Sequence, residues 1–499
     1  MHVSNLRPAA PNSSAIESRL KQKIRIAAGV LAVSVFGALA IDLVPADPRP
    51  AGELVAAGIV MAIGLLLVPV VYAYRGTERA FRAEHIVSIG LFYWLLLDII
   101  QGVEDVDLSQ EVTQQAFLAI VLTAVGIWIG SAFGPRRLPS RIGRMLDNSV
   151  DNESLFRAGV LCFALGMLKF LIPTEFDIFE AVSFIGAPRW SAPWGRGQLG
   201  GLDAFWDHLQ YFGYVVPTLA VAYGVRRGWY SIKTVMLLTC AVVMVLFLSQ
   251  SGGRRIVGVT VGSAMLCWVF MQRRLNLRTI AVLLTGSAAL LAAMQFILEH
   301  RNQGWFGEDS RPGYFKTLHV DDNFFRLGQI IELVPAEHPY VYLQQLFFIV
   351  IRPIPRYFWE GKPIDPGFNL PELIGITGVS LSTSMIGEWY LVWGMPTVLL
   401  GGLAMGLLCA AVNLVVVRSR KGGNAAVAAI SLMVIFAALR SLQDLVLMSY
   451  AIMALLGVMA LLRRAQRTRR RLSGSVKRGR RRRIHEALRP DFKGDRYPE

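Results

Sequence analysis

The chain has 499 residues, 54% hydrophobic and 17% charged, with a mean hydropathy of +0.46, and its apolar residues form runs approaching the thickness of a hydrocarbon core. That excludes an ordinary soluble enzyme and indicates a polytopic membrane protein. The formal charge of +16 would suit a nucleic-acid binder, but residues 463–499 hold 15 Lys and Arg against 4 Asp and Glu, supplying +11 and leaving only +5 elsewhere; with no aromatic-interleaved basic domain beside it, this tail reads as an anchor on anionic membrane lipid, and nucleic acid is not an expected partner.

In chain order, residues 1–23 form a cytoplasmic N-terminus. Lys21, Lys23 and Arg25 precede an apolar run in which Ala38-Leu39-Ala40 offers a small-residue cleavage pattern. The run continues to Val44 at spanning length, so it is expected to remain as an uncleaved first span. The hydropathy pattern predicts spans at about 24–44, 53–74, 85–101, 112–133, 155–173, 205–224, 232–249, 256–271 and 279–298, then 389–417, 425–440 and 445–462. The fold class is therefore an all-α polytopic membrane protein with about twelve helices and a large outer loop between helices 9 and 10. Two membrane regions, 24–298 and 389–462, flank a segment at 299–388, and 463–499 is a basic cytoplasmic tail.

With the N-terminus inside, every short inner loop is positive, as in Arg136/Arg137/Arg141/Arg144 and Arg273/Arg274/Arg278, and both termini are cytoplasmic. The outer turn Ser249-Gln250-Ser251-Gly252-Gly253-Arg254-Arg255 breaks that rule. A cation pair in a short outer loop calls for an anionic ligand presented at the outer leaflet. Gly252 and Gly253 would permit close backbone approach and left-handed dihedrals there, letting amides and guanidinium converge on phosphate oxygens. The plain alternative is a tight turn whose arginines reach lipid headgroups.

Before the sixth span, Arg189-Trp190-Ser191-Ala192-Pro193-Trp194-Gly195-Arg196-Gly197 alternates guanidinium and indole groups suited to sugars and phosphates, although either type also anchors membrane interfaces. Within 299–388, Tyr340–Trp359 contains an apolar stretch interrupted by Arg352, Pro353 and Pro355, so it is expected to be re-entrant or interfacial. Arg352 and Arg356 stand there near the bilayer and need an anion or water. His319 and Glu388 are the candidate general bases, each with a surface or capping alternative. Arg440 and Asp444 are spaced to pair across the turn that splits 425–462. Cys162, Cys240, Cys267 and Cys409 lie in apolar runs without metal-ligand spacing, and no metal or cofactor is expected.

The Ser251-Gly252-Gly253-Arg254 turn, the segment Ile354-Pro355-Arg356-Tyr357-Phe358-Trp359-Glu360-Gly361-Lys362-Pro363, and Ser384-Met385-Ile386-Gly387-Glu388-Trp389-Tyr390-Leu391-Val392-Trp393-Gly394 resemble the bacterial O-antigen and oligosaccharide repeat-unit polymerases of the Wzy type. The motif resemblance covers about 249–406; the usual turn reads closer to Gly-Ser-Arg-Gly. It implies a GT-C-like glycosyltransferase at the outer face of the bacterial inner membrane, acting on undecaprenyl-pyrophosphate-linked oligosaccharide, with a chain-length regulator as a candidate partner. On that reading Arg254 stabilises the departing pyrophosphate without a metal, supported by Arg255, Arg352 and Arg356. Arg189 and Arg196 lie along the glycan path, and His319 or Glu388 takes the acceptor proton. An O-antigen ligase shares the donor and the large outer loop; a lipid-linked oligosaccharide flippase or other transporter would instead need a polar central path.

Overall fold

Lipid offers no partner for backbone N–H and C=O groups, so an open chain crosses it as helix. The computed structural model describes residues 13–74, 80–102, 105–147, 150–189, 191–194, 206–250, 253–272, 276–305, 317–352, 354, 356–363, 365–376, 381–421 and 424–487, and no strand occurs among them. The helices are α1 (Ser13–Asp42), α2 (Val55–Tyr74), α3 (Ala83–Gln101), α4 (Gln110–Phe133), α5 (Ser140–Asp147), α6 (Asn152–Leu171), α7 (Ile178–Ser183), α8 (Gln210–Arg227) and α9 (Ile232–Ser249). They continue with α10 (Arg254–Met271), α11 (Leu277–His300), α12 (Asn323–Leu333), α13 (Leu343–Ile351), α14 (Leu370–Leu373), α15 (Ser384–Trp393), α16 (Met395–Lys421), α17 (Ala425–Ala438) and α18 (Leu442–Ala487). Ten of them, α1 to α4, α6, α9 to α11, α16 and α18, are long and apolar enough to cross a membrane. The chain is a multi-pass, all-α membrane protein.

Several boundaries depart from the hydropathy pattern for local reasons. The span expected at 389–417 is broken at Gly394, whose φ of +67° ends α15 and turns the chain into α16. A Cβ there would lie 2.9 Å from the Tyr340 hydroxyl oxygen. The region 425–462 splits between α17 and α18, as expected, and α18 then runs unbroken into the basic tail as far as Ala487. Within Tyr340–Trp359, α13 has nine residues and reaches about 14 Å, too short to cross. It exposes Leu343, Phe347 and Val350 on one side and buries Gln345, Phe348 and Ile351 on the other, as an interfacial helix does.

Small residues set the closest helix pair. Gly126 and Gly130 on α4 and Gly134 at its C-cap recur every four residues and face Gly402, Gly406 and Ala410 on α16, so the two backbones approach without intervening side chains. A Cβ on Gly126 would stand 2.8 Å from the Leu399 carbonyl oxygen, and at Gly130 and Gly406 the carbonyls of Leu403 and Ile127 lie closer still. At the centre of the bundle α17 is apolar all round and buried along its length, packed by α3, α10, α16 and α18.

Polar groups gather at the two ends. At one end, called here the tail end, buried Glu84 is met by Arg25 Nη2 at 2.9 Å, Arg82 Nε at 2.6 Å and Asn413 Nδ2 at 2.6 Å. Asn413 Oδ1 in turn accepts the Ala83 amide at the start of α3. A carboxylate without those donors would be costly to bury. At the opposite end, the ends of α3, α11 and α17 meet the starts of α10 and α18.

Replacing Gly130 by Ala is expected to lower stability by about 1–3 kcal/mol, because backbone rather than a flexible side chain must move. Gly457→Ala, where nothing lies within 4 Å of the new Cβ, is the control and should be neutral or stabilising. Thermal unfolding in detergent reads both, and equal melting of Gly130→Ala and the parent would contradict the close packing.

Candidate functional site

The site is built around an extended stretch, 318–321, whose backbone groups are taken by side chains from other elements. Gln101 at the end of α3 accepts the Leu318 amide at 2.7 Å and donates to its carbonyl at 2.8 Å. Gln295 of α11 accepts from the His319 amide at 3.3 Å, and Asp98 of α3 accepts from the amides of Val320 at 2.9 Å and Asp321 at 3.5 Å. The remaining carbonyls of His319 and Val320 accept from Arg254 Nη1 at 2.7 Å and Nη2 at 3.3 Å. Unpaired, these buried amides and carbonyls would each cost on the order of a hydrogen bond or more.

From this stretch Asp321 projects into a cluster of guanidiniums. Its Oδ1 lies 2.9 Å from Arg254 Nη2, and its Oδ2 lies 2.6 Å from Arg440 Nε. Arg440 Nη1 reaches Asp444 Oδ2 at 3.3 Å, the pair expected across the α17–α18 turn, and Arg255 Nη1 reaches the same oxygen at 3.1 Å. Among the described residues, three guanidiniums against two carboxylates leave this group with one net positive charge. Arg254 and Arg255 are also the first two residues of α10, where the helix dipole is already positive, so that end of α10 favours an anion. Burial would push the Asp321 carboxyl up, but Arg440 and Arg254 outweigh it and hold it below the usual range. Burial likewise opposes the charge on Arg440, and Asp321 with Asp444 more than restores it.

Glu388, on α15, sits behind the cluster and is only 5% exposed. Its Oε1 accepts from the Ser441 hydroxyl at 2.6 Å and its Oε2 from the Leu442 amide at 2.6 Å, so it caps the start of α18 and fixes the turn that carries Arg440. Burial pushes its carboxyl up to about 7, although the Ser441 and Leu442 bonds pull the other way.

On the other side of the 318–321 stretch is a cavity of about 470 Å³. Asp98, Asp105, His319, Asp322 and Arg326 line it. His319 Nε2 stands 3.5 Å from Asp322 Oδ1, and Arg326 Nη2 is 3.8 Å from Asp322 Oδ2. Next to the arginines, His208, Tyr211 and Tyr450 stack edge to face or tilted, with Tyr211 within electrostatic reach of Arg255 and Asp444.

Of the residues singled out in the sequence, Arg254, Arg255, His319 and Glu388 thus converge. Arg189 is placed by its backbone. Its amide donates to the Arg301 carbonyl at 2.7 Å, docking the loop before α8 onto the end of α11. Arg301 itself loses basicity through burial and the proximity of Arg254. Arg352 stands 5.6 Å from the Phe348 ring on α13. Arg356 begins a 3-10 turn, Arg356–Phe358, and its side chain lies outside the described residues, as do Arg196, Trp190 and Gly252. Gly253 is at φ −76°, outside the left-handed region. Trp194 is buried, donating to Gln250 Oε1 at 2.9 Å and packing edge-on against Phe170, so its face is core rather than a sugar platform.

Sequence reasoning missed Asp98 and the central role of Asp321. A lone carboxylate in Leu95-Leu96-Leu97-Asp98-Ile99-Ile100 is itself the signal that would have found the first. Comparison of the chain with protein-family models, curated proteins and solved structures returned no match.

The raised Glu388 value has a definite sign. The folded state keeps this proton in a window where the unfolded chain has lost it, so the stability it contributes is complete below about 4.5 and declines as pH rises through about 7. Glu388→Gln keeps an acceptor for Leu442 and lacks the titration. Melting curves from pH 5 to 8 are expected to show the parent losing stability relative to Glu388→Gln, by a few kcal/mol at most. Parallel pH profiles would contradict this placement.

Proposed function

We propose that this chain is a membrane glycosyltransferase that polymerises undecaprenyl-pyrophosphate-linked oligosaccharide repeat units into O-antigen, capsule or exopolysaccharide. The observation that carries the reading is the net-positive group of Arg254, Arg255 and Arg440, clamped at the helix ends by Asp321 and Asp444. Guanidiniums held this way meet a pyrophosphate with little reorganisation and stabilise the negative charge that develops as it leaves. The Wzy-type turn and the 384–394 motif agree with it.

On this reading α8 and the shorter α17 are two further crossings, making twelve with the ten long helices. The cluster then faces the outside of the bacterial inner membrane, both termini lie in the cytoplasm, and α13 rests at the outer interface. Lipid carrier occupies the bilayer while its pyrophosphate reaches the arginines at the boundary.

In the transfer step a hydroxyl oxygen of the newly delivered repeat unit attacks the anomeric carbon of the growing chain. The bond from that carbon to the pyrophosphate oxygen breaks, and its electron pair leaves with the pyrophosphate onto Arg254 and Arg440. The hydroxyl proton goes to the His319–Asp322–Asp98 group on the cavity wall. Glu388, enclosed and bonded through both oxygens, positions the Arg440 turn instead of exchanging protons with substrate.

Arg254→Ala is expected to slow polymerisation by a hundredfold or more. In the native host, a gel of surface polysaccharide should then show single repeat units in place of long chains. Retained long chains would overturn the assignment, and loss of all surface repeat units would point to a flippase.

A further inference from the structure

We infer that Asp98, His319 and Asp322 form a site for one divalent metal cation, on the cavity side of the 318–321 stretch. The proposal concerns binding and stands apart from the transferase reading, except that side chains holding a cation would pass the proton-accepting role assigned to them there to a group on that cation.

Three observations support it. The first is the donor set: a carboxylate oxygen from each aspartate and an imidazole nitrogen all lie within 4.8 Å of one another. Opposite ligands of a cation bound at 2.1–2.4 Å are separated by about that distance, and adjacent ligands by about 3–3.5 Å. The 3.5 Å between His319 Nε2 and Asp322 Oδ1 fits an adjacent pair. Two carboxylates with one imidazole suit manganese or zinc better than magnesium, which prefers oxygen and water alone.

The second is the space. These side chains line a cavity of about 470 Å³, with room for a cation and the waters that complete its shell. The third is the lining. Among the described residues it carries three carboxylates, those of Asp98, Asp105 and Asp322, a set rich in the oxygens that such cations take.

The supporting groups also match what a metal site requires of its surroundings. Asp98 accepts from the amides of Val320 and Asp321, which holds it toward the stretch that carries His319. The His319 amide and carbonyl are fixed by Gln295 and Arg254, so the imidazole starts from a pinned backbone. Asp322 stands at φ +51°, a conformation that an aspartate tolerates better than most residues. A cation here would sit one peptide away from the Arg254–Asp321 pair. If the transferase reading holds, hydroxide formed from water on the cation would take the acceptor proton in place of these side chains and return to water, since a bound divalent ion lowers the pKa of its water.

The test is Mn²⁺ titration of the purified full-length chain in detergent, followed by the loss of free-Mn²⁺ signal in electron paramagnetic resonance. One Mn²⁺ per chain is expected. Asp98→Asn, which keeps an acceptor for the Val320 amide, and His319→Gln should each weaken binding at least tenfold while melting as folded proteins. Absence of bound Mn²⁺ at millimolar concentration would overturn the inference, as would equal affinity in the parent and both variants. Neither result depends on polysaccharide synthesis. Missing Mn²⁺ together with chain loss in Arg254→Ala would refute the cation site and leave the transferase reading intact. Bound Mn²⁺ with long chains retained in Arg254→Ala would do the reverse.

Discussion

Asp321 is shared by two guanidiniums from opposite sides, Arg254 at 2.9 Å and Arg440 at 2.6 Å, and the geometry of the site follows from that sharing. Arg254 starts α10 and Arg440 ends the turn after α17, so one carboxylate couples two helix ends that lie 67 and 119 residues from it along the chain. Such a pair near the membrane boundary is poorly screened, and removing one partner would strand charge. The carboxylate can occupy this place because Asp98, Gln101 and Gln295 hold the backbone on either side of it. A polar stretch threaded through helix ends is therefore stable only as a unit.

The long connection between α11 and α15 bonds to the cluster arginines, among the described residues, through the 318–321 stretch. Most of it packs elsewhere: α12 against α4 and α15, and α13 along the apolar boundary with Lys362 donating to the carbonyls of Arg352 and Ile354. Arg352 and Arg356 attracted notice as cations in apolar surroundings. Arg352 meets an aromatic face in the Phe348 ring, a contact that spacing alone did not show. Glu388 shows a related effect. Its position at the start of a motif rich in aromatic residues suggested a base, while the fold gives its two oxygens to Ser441 and Leu442.

Much of the helical architecture was legible because span length and loop charge are statistical properties of long segments. The split of 425–462, the Arg440–Asp444 pair and the short nature of the Tyr340–Trp359 stretch were all visible in this way. The Gly126/Gly130/Gly134 and Gly402/Gly406 spacing was equally visible, and reading it would have paired α4 with α16. Less could be read at the site. Arg254 was singled out by an apparent breach of topology, but its partner lies 67 residues away, and spacing says nothing about contacts at that separation. Asp98 and Asp321 acquire meaning only when three helix ends meet, and Gly394 breaks a run that hydropathy treats as continuous.

The central claim is that the Arg254, Arg255 and Arg440 cluster receives a lipid pyrophosphate. Native mass spectrometry of the chain with undecaprenyl pyrophosphate tests it, comparing the parent with Arg440→Gln and with Arg157→Gln, a half-exposed position of α6 paired with Glu153, as the control. One retained lipid pyrophosphate on the parent and on Arg157→Gln, with at least tenfold weaker retention by Arg440→Gln, is the predicted result. Equal retention by all three chains, or none by the parent, would contradict the account.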